Sequence, residues 1–168
     1  MGAFDAEIAR EESLKSGPWI NARYNSVPVY TVPSGQPTVR VTLDHSPPAP
    51  SLSAAWSSVP LPKGAKPATG TDAVLVVWQP STSRLWEFWR LVHRSDGWHA
   101  SWGGAMRDVA DRNGVYGSSV WPGAQSYWGV SASSLAIAGG LITLEDLQRG
   151  RIEHALSIAI PNVRAGVY

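Results

Sequence analysis

The stretch DAVLVVWQPSTSRLWEFWRLVHRSDGWHASW, residues 72–102, decides how the rest of this chain is read. Residues 72–79 form a near-continuous apolar run, the pattern of a strand buried on both faces. Gln79-Pro80-Ser81-Thr82-Ser83 turns the chain into RLWEFWRLVH (84–93), a second strand rich in β-formers. Arg94-Ser95-Asp96-Gly97 turns it again into WHASW (98–102), and Asp-Gly between two alternating runs is a strong hairpin signal. With Asp96 and Gly97 as the central turn residues, Ser95 opposes Trp98, His93 opposes Ala100 and Leu91 opposes Trp102. Alternation then places Glu87, Trp89, His93, Trp98 and Trp102 on one face, and Trp86, Phe88, Arg90 and His99 on the other.

Composition agrees with a chain of short strands and turns. At 168 residues it is long enough for one domain with a real core. Only 16% of residues are charged, while Gly (16), Pro (13) and Trp (9) are all abundant. The net charge of +1 comes without a basic stripe, so no nucleic-acid partner is expected. Cysteine is absent, which excludes a disulfide framework and a thiolate metal site. The four histidines, 45, 93, 99 and 154, are scattered, so no metal and no cofactor is expected. No apolar run approaches the ~18 residues of a membrane span, and the first fifteen residues lack the pattern of a signal peptide.

Outward from the central stretch, residues 1–24 read as an N-terminal arm and 25–168 as one β domain. Phe4, Ile8 and Leu14 recur at near-helical spacing, which predicts a short amphipathic helix. VPVYTV (27–32) and TVRVTLD (38–44) read as two strands. The Pro/Ser/Ala-rich segment 46–70 reads as a long extended connection, and the Gly-rich segment 103–129 as surface loops. TLEDLQRG predicts a second short helix, with Thr143 as N-cap and Gly150 just past its end. HALSIAI (154–160) reads as a returning strand. The fold class expected is all-β: an antiparallel, jelly-roll-like β-sandwich with a short helix near each end.

The face carrying Glu87, Trp89, Trp98 and Trp102 has the groups a sugar groove needs: flat apolar platforms, an indole donor and a carboxylate. His99, Trp121, Tyr127 and Trp128 are further candidates for ligand binding. Glycoside hydrolysis needs two carboxyl groups flanking the bond. Glu87 is one candidate and Asp72 is taken as the second over Asp108, Asp111 and Glu145, although no two acids share a strand in the expected spacing. On this strand Glu87 has only two ring neighbours, so its pKa is not expected to be strongly raised, and a sugar-contacting carboxylate is the better reading. Core packing of the tryptophans remains the competing explanation, since most tryptophans in such folds are core.

Three blocks, PKGAKPATGTDAVLVVWQPSTSRLWEFW (62–89), DGWHASWGGAM (96–106) and GGLITLEDLQRGRIEHAL (139–156), together resemble a group of proteins from actinobacteria and their phages. Several members of that group are labelled minor tail proteins. The resemblance covers roughly residues 25–164. It implies a virion or extracellular location, a cell-surface glycan as partner, and other tail proteins as neighbours. Members of the group continue past the position matching Tyr168, so the resemblance also implies a shortened chain or a fragment, with a C-terminal continuation as a further partner. Three functions stay open at this point: a tail or tail-tip domain that binds polysaccharide through tryptophan platforms, a glycan hydrolase or lyase using Glu87, and a purely structural tail subunit.

Overall fold

The structure, a computed structural model, describes residues 2–15, 17 and 22–158. Its regular elements are α1 (Gly2–Ser13), β1 (Val29–Thr31), β2 (Val41–Leu43), α2 (Pro50–Ala55), β3 (Leu75–Gln79), β4 (Arg84–Trp89), β5 (Val92–Arg94), β6 (Gly97–Ala100), β7 (Trp102–Arg107) and α3 (Leu144–Arg149). The chain is mostly β, with two mixed sheets and short helices. One sheet has the order β1-β3-β4-β7 and the other β2-β6-β5. The expectation of purely antiparallel pairing is corrected at one strand in each sheet. β1 runs parallel to β3 and β2 runs parallel to β6. Both are reached by long connections, as parallel neighbours require.

The central hairpin forms, but its turn sits one residue earlier than expected. Arg94 pairs with Gly97, and Ser95 and Asp96 are the two loop residues. Gly97 has φ +130°, so its freedom is used just after the loop rather than within it. The shift keeps the parity of the pairing, so His93 and Trp98 still share a face, with ring centroids 4.9 Å apart. The same register runs on without insertion, from Val92 opposite His99 to Trp89 opposite Trp102 and Arg84 opposite Arg107.

RLWEFWRLVH is nevertheless two strands. Arg90 takes φ +55°, and there the hairpin leaves one sheet and enters the other. A left-handed arginine is unfavourable in isolation. Here the Arg90 and Leu91 N–H groups donate to the Asp72 and Ala73 carbonyls at 2.7 and 3.1 Å, which holds the bend.

One continuous core cluster draws on both sheets, from Val41 and Ala100 to Leu75, Val77, Trp86, Phe88 and Met106. The segment 46–70 is not simply extended. α2 starts with Pro50 in its first turn, a position where the missing N–H costs nothing, and buries Leu52, Ala55 and the adjoining Trp56. The Gly-rich segment is not all surface either. Gly103 and Gly104 lie inside β7, and Tyr116, Val120, Ala124 and Trp128 are buried. α3 forms as expected: the Thr143 hydroxyl and Asp146 carboxylate make a reciprocal capping box, and Gly150 closes the helix at φ +68°. The expected strand 154–160 does not form over 154–158, where the Ser157 N–H to Gly140 carbonyl bond is not extended into a ladder. Residues 159 and 160 lie outside the described residues, as does the Phe4 side chain. Ile8 is half-buried on α1 and Leu14, just beyond it, is exposed.

Candidate functional site

Glu87 is the most unusual residue of the chain. It stands mid-strand in β4, opposite Gly104 of β7, and is fully buried. The alternation expected to leave it open places it instead under a lid of loop. Gly104 lacks the Cβ that would stand 2.5 Å from Tyr116 Cζ, and a Cβ on Gly129 would stand 2.8 Å from the other side of that ring. The two glycines thus make a slot, and Tyr116 fills it against the carboxyl group. Ala138, in the 3₁₀ turn Ile137–Gly140, donates its N–H to Glu87 Oε1 at 3.1 Å.

Burial dominates the electrostatics of this acid. Desolvation pushes its pKa from 4.5 up to about 7, against the lowering pull of the Ala138 N–H, the Tyr116 hydroxyl and the Ile137 and Val130 N–H groups. The expectation of an ordinary pKa is overturned because loop residues far along the chain, invisible to strand alternation, close over it. Tyr116 is driven up in turn, first by its own burial and then by the neighbouring carboxylate. The hydroxyl is close enough to act on Glu87, yet Tyr116 Oη and Glu87 Oε2 are both buried without a hydrogen-bonded partner. A buried acid of raised pKa often marks a catalytic centre. Here it joins a core strand to the loop layer, and a fully buried carboxyl does not reach a surface glycan.

Asp72, the other candidate acid, is exposed and accepts the Trp89 indole N–H at 2.9 Å. Trp89 also carries the Arg90 guanidinium over its ring, 4.2 Å from the centroid. Trp98 belongs to the other sheet, beside His93. Of the three tryptophans expected to form one platform, Trp89 and Trp102 are cross-strand partners in one sheet, and the bend at Arg90 carries Trp98 into the other. His99 is buried, with its ring nitrogens 2.9 Å from Asp44 Oδ1 and 3.1 Å from Asp96 Oδ1. The His99 ring, and with it the Arg94 charge, holds the Asp44 pKa below its usual value against a smaller opposing desolvation. Together these four side chains tie β2, β5 and β6 to their turn. Trp128 is core. Among the described residues, no group of three or more His, Asp or Glu side chains is placed to hold a metal ion. No described helix is long and apolar enough to cross a membrane.

Neither of two clefts on the described surface is lined by Glu87 or Asp72. The first, of about 330 Å³, lies between His45–Leu52 and Gly123–Trp128, with Trp102 as one wall. Trp102 and Tyr127 stack at 5.9 Å with ring planes 27° apart, and His45 lies 4.3 Å from Trp102 on a tilted plane. The Trp102 indole N–H donates to the Tyr127 backbone carbonyl at 3.1 Å, which fixes the indole. Gln125 and Ser51 add polar groups to a lining otherwise rich in rings and prolines. Of the expected binding residues, this cleft gathers Trp102, Tyr127 and Trp128. It adds His45, Pro47, Pro48 and Gln125, which only their folding onto Trp102 reveals. The second cleft, of about 350 Å³, lies between α2 with Ser57 and Ser58 on one side and Arg84, Trp86, Arg107 and Trp121 on the other. No protein family, curated protein or solved structure matches this chain.

Proposed function

We propose that this chain is a glycan-binding domain of the phage-tail or tail-tip type, and that its sugar site is the cleft between His45 and Tyr127. The observation that carries the reading is the stacked Trp102–Tyr127 pair at the wall of an open, ring-lined cleft. Tyr127 is 63% exposed, so an outward aromatic face is held ready for the C–H face of a pyranose. The Gln125 amide and the His45 ring nitrogens supply donors and acceptors for hydroxyls. Because the Trp102 indole is already tied to the Tyr127 carbonyl, little side-chain freedom is lost when a sugar docks. Binding without cleavage is the better reading, since the buried Glu87 and the exposed Asp72 do not line a common cleft. We further infer that the two sheets act as the layers of a β-sandwich, a reading supported by their shared core. The placement on a tail rests on the resemblance of the three motif blocks, and a cell-wall polysaccharide is the matching ligand.

The test is binding of purified actinobacterial cell-wall polysaccharide by wild type, Tyr127→Ala and Trp102→Ala. Tyr127→Ala is expected to weaken binding by about tenfold while leaving thermal stability nearly unchanged. No fragments are expected to be released. Equal binding by wild type and Tyr127→Ala, or cleavage abolished by Glu87→Gln, overturns the proposal.

A further inference from the structure

The second cleft holds two charges that the protein itself does not neutralise. Arg84 and Arg107 are direct cross-strand partners at the end of the β4·β7 ladder. Like charges in that position repel, so an uncompensated pair is unfavourable. The ion pairs among the described residues engage Arg10, Arg94, Arg112, Arg149 and Arg151, and neither of these two. Both guanidinium groups lie over the Trp121 ring, Arg107 at 4.2 Å and Arg84 at 5.9 Å from the centroid. Stacking on an indole holds a guanidinium flat and leaves its edge donors available. Arg107 Nε is buried and has no acceptor in the protein. Opposite the two arginines stand α2 and the residues after it. They contribute Ser51, Ser57 and Ser58, and no carboxylate lines the cleft. Trp121 itself is held edge-on to Trp86, whose indole N–H donates to the Ala55 carbonyl at 3.2 Å. The aromatic support beneath the arginines is therefore fixed by the core.

From these observations we propose that the cleft between α2 and the Arg84–Arg107 pair binds an oxyanion, a carboxylate or a phosphate group. A ligand with two or three oxygens on one centre fits paired guanidinium forks, because each fork offers parallel N–H donors. It offsets the cross-strand repulsion of the two arginines. The site is separate from the Trp102–Tyr127 cleft, and its occupation does not depend on that cleft binding sugar. Ser51 lines both clefts.

The experiment follows the arginine Nε–H and indole N–H signals of the ¹⁵N-labelled protein by NMR. It is titrated with sodium phosphate, with sodium glucuronate, and with sodium chloride at matched ionic strength. Saturable shifts of Arg84, Arg107 and Trp121 with phosphate or glucuronate, and none with chloride, are expected. The two anion arms show which oxyanion the site prefers. Arg84→Gln should weaken that binding by about tenfold or more, the size of a charged hydrogen-bonded contact. Tyr127→Ala should leave it unchanged, which separates this site from the sugar cleft. The proposal is overturned if neither anion gives a saturable shift, or if Arg84→Gln binds as wild type does. Should Arg84→Gln fail to fold, Arg84→Lys is read instead. It keeps the charge but loses the planar fork, and binding equal to wild type would again overturn the proposal.

Discussion

Replacing Glu87 with glutamine removes one buried ionisation and little else. The amide keeps an oxygen for the Ala138 N–H and offers a donor toward Tyr116, whose hydroxyl has no partner. In the folded wild type the Glu87 proton is held up to about pH 7, whereas the unfolded chain releases it near the ordinary value of 4.5. Between those values the folded state binds the extra proton, so stability falls as pH rises. This contribution is fully present below 4.5 and is lost by the time pH passes 7. The difference between the two pKa values corresponds to about 3 kcal/mol. Wild type and Glu87→Gln should therefore have similar stability near about pH 5, and the variant should be more stable by up to about 3 kcal/mol near about pH 8. Urea unfolding followed by tryptophan fluorescence at several pH values measures this, provided the denaturant slope is the same for both. Taking the difference between the two proteins cancels groups they share. One such group is His154, whose pKa is raised by the Ala155 carbonyl and by Asp146. A stability difference that stays constant with pH, or one that favours wild type at high pH, would refute the burial argument.

The glycine slots give two further expectations. Gly104→Ala drives a methyl group into the Tyr116 ring and should destabilise by about 1–3 kcal/mol or more, read by thermal unfolding. Gly103→Ala is worse, because its Cβ would stand 1.9 Å from the Glu87 backbone carbonyl oxygen; the variant should fail to accumulate as folded protein. Core and cleft tryptophans should separate in parallel measurements. Trp56→Ala, at a fully buried site, should cost about 3–5 kcal/mol, and Trp102→Ala, half-buried beside Tyr127, clearly less.

The strands read over 27–32, 38–44, 72–79, 84–93 and 98–102 formed as β1 to β6, because local pattern and turn residues decide them, whereas the one read at 154–160 did not form over 154–158. The hairpin's faces were legible too, since its one-residue turn shift preserved parity. What sequence could not show is the sheet change at Arg90. A left-handed arginine has no local signature and depends on the Asp72 and Ala73 carbonyls, eighteen residues upstream. The same limit applied to Glu87. Alternation places its side chain on a face, but the cover over that face comes from Tyr116, Gly129 and Ala138. The Gly103-Gly104 pair was the one local hint, a place where something must approach closely. The cleft aromatics were found in part. Trp102 and Tyr127 were named, while His45 and Gln125 become partners only through the fold. The Arg84–Arg107 pair needed the register of a strand, β7, that was read as loop.

The two parallel additions have a consequence for how the sheets keep their edges covered. β1 covers the open side of β3, and β2 covers the open side of β6. Both come from one short span, 29–43. Proteolytic nicking or truncation there would uncover two unpaired backbone edges at once, one on each sheet. Exposed edges of apolar strands recruit other chains. Loss of that span is thus expected to appear first as self-association, before any loss of the central hairpin, whose closure needs only its own two-residue loop.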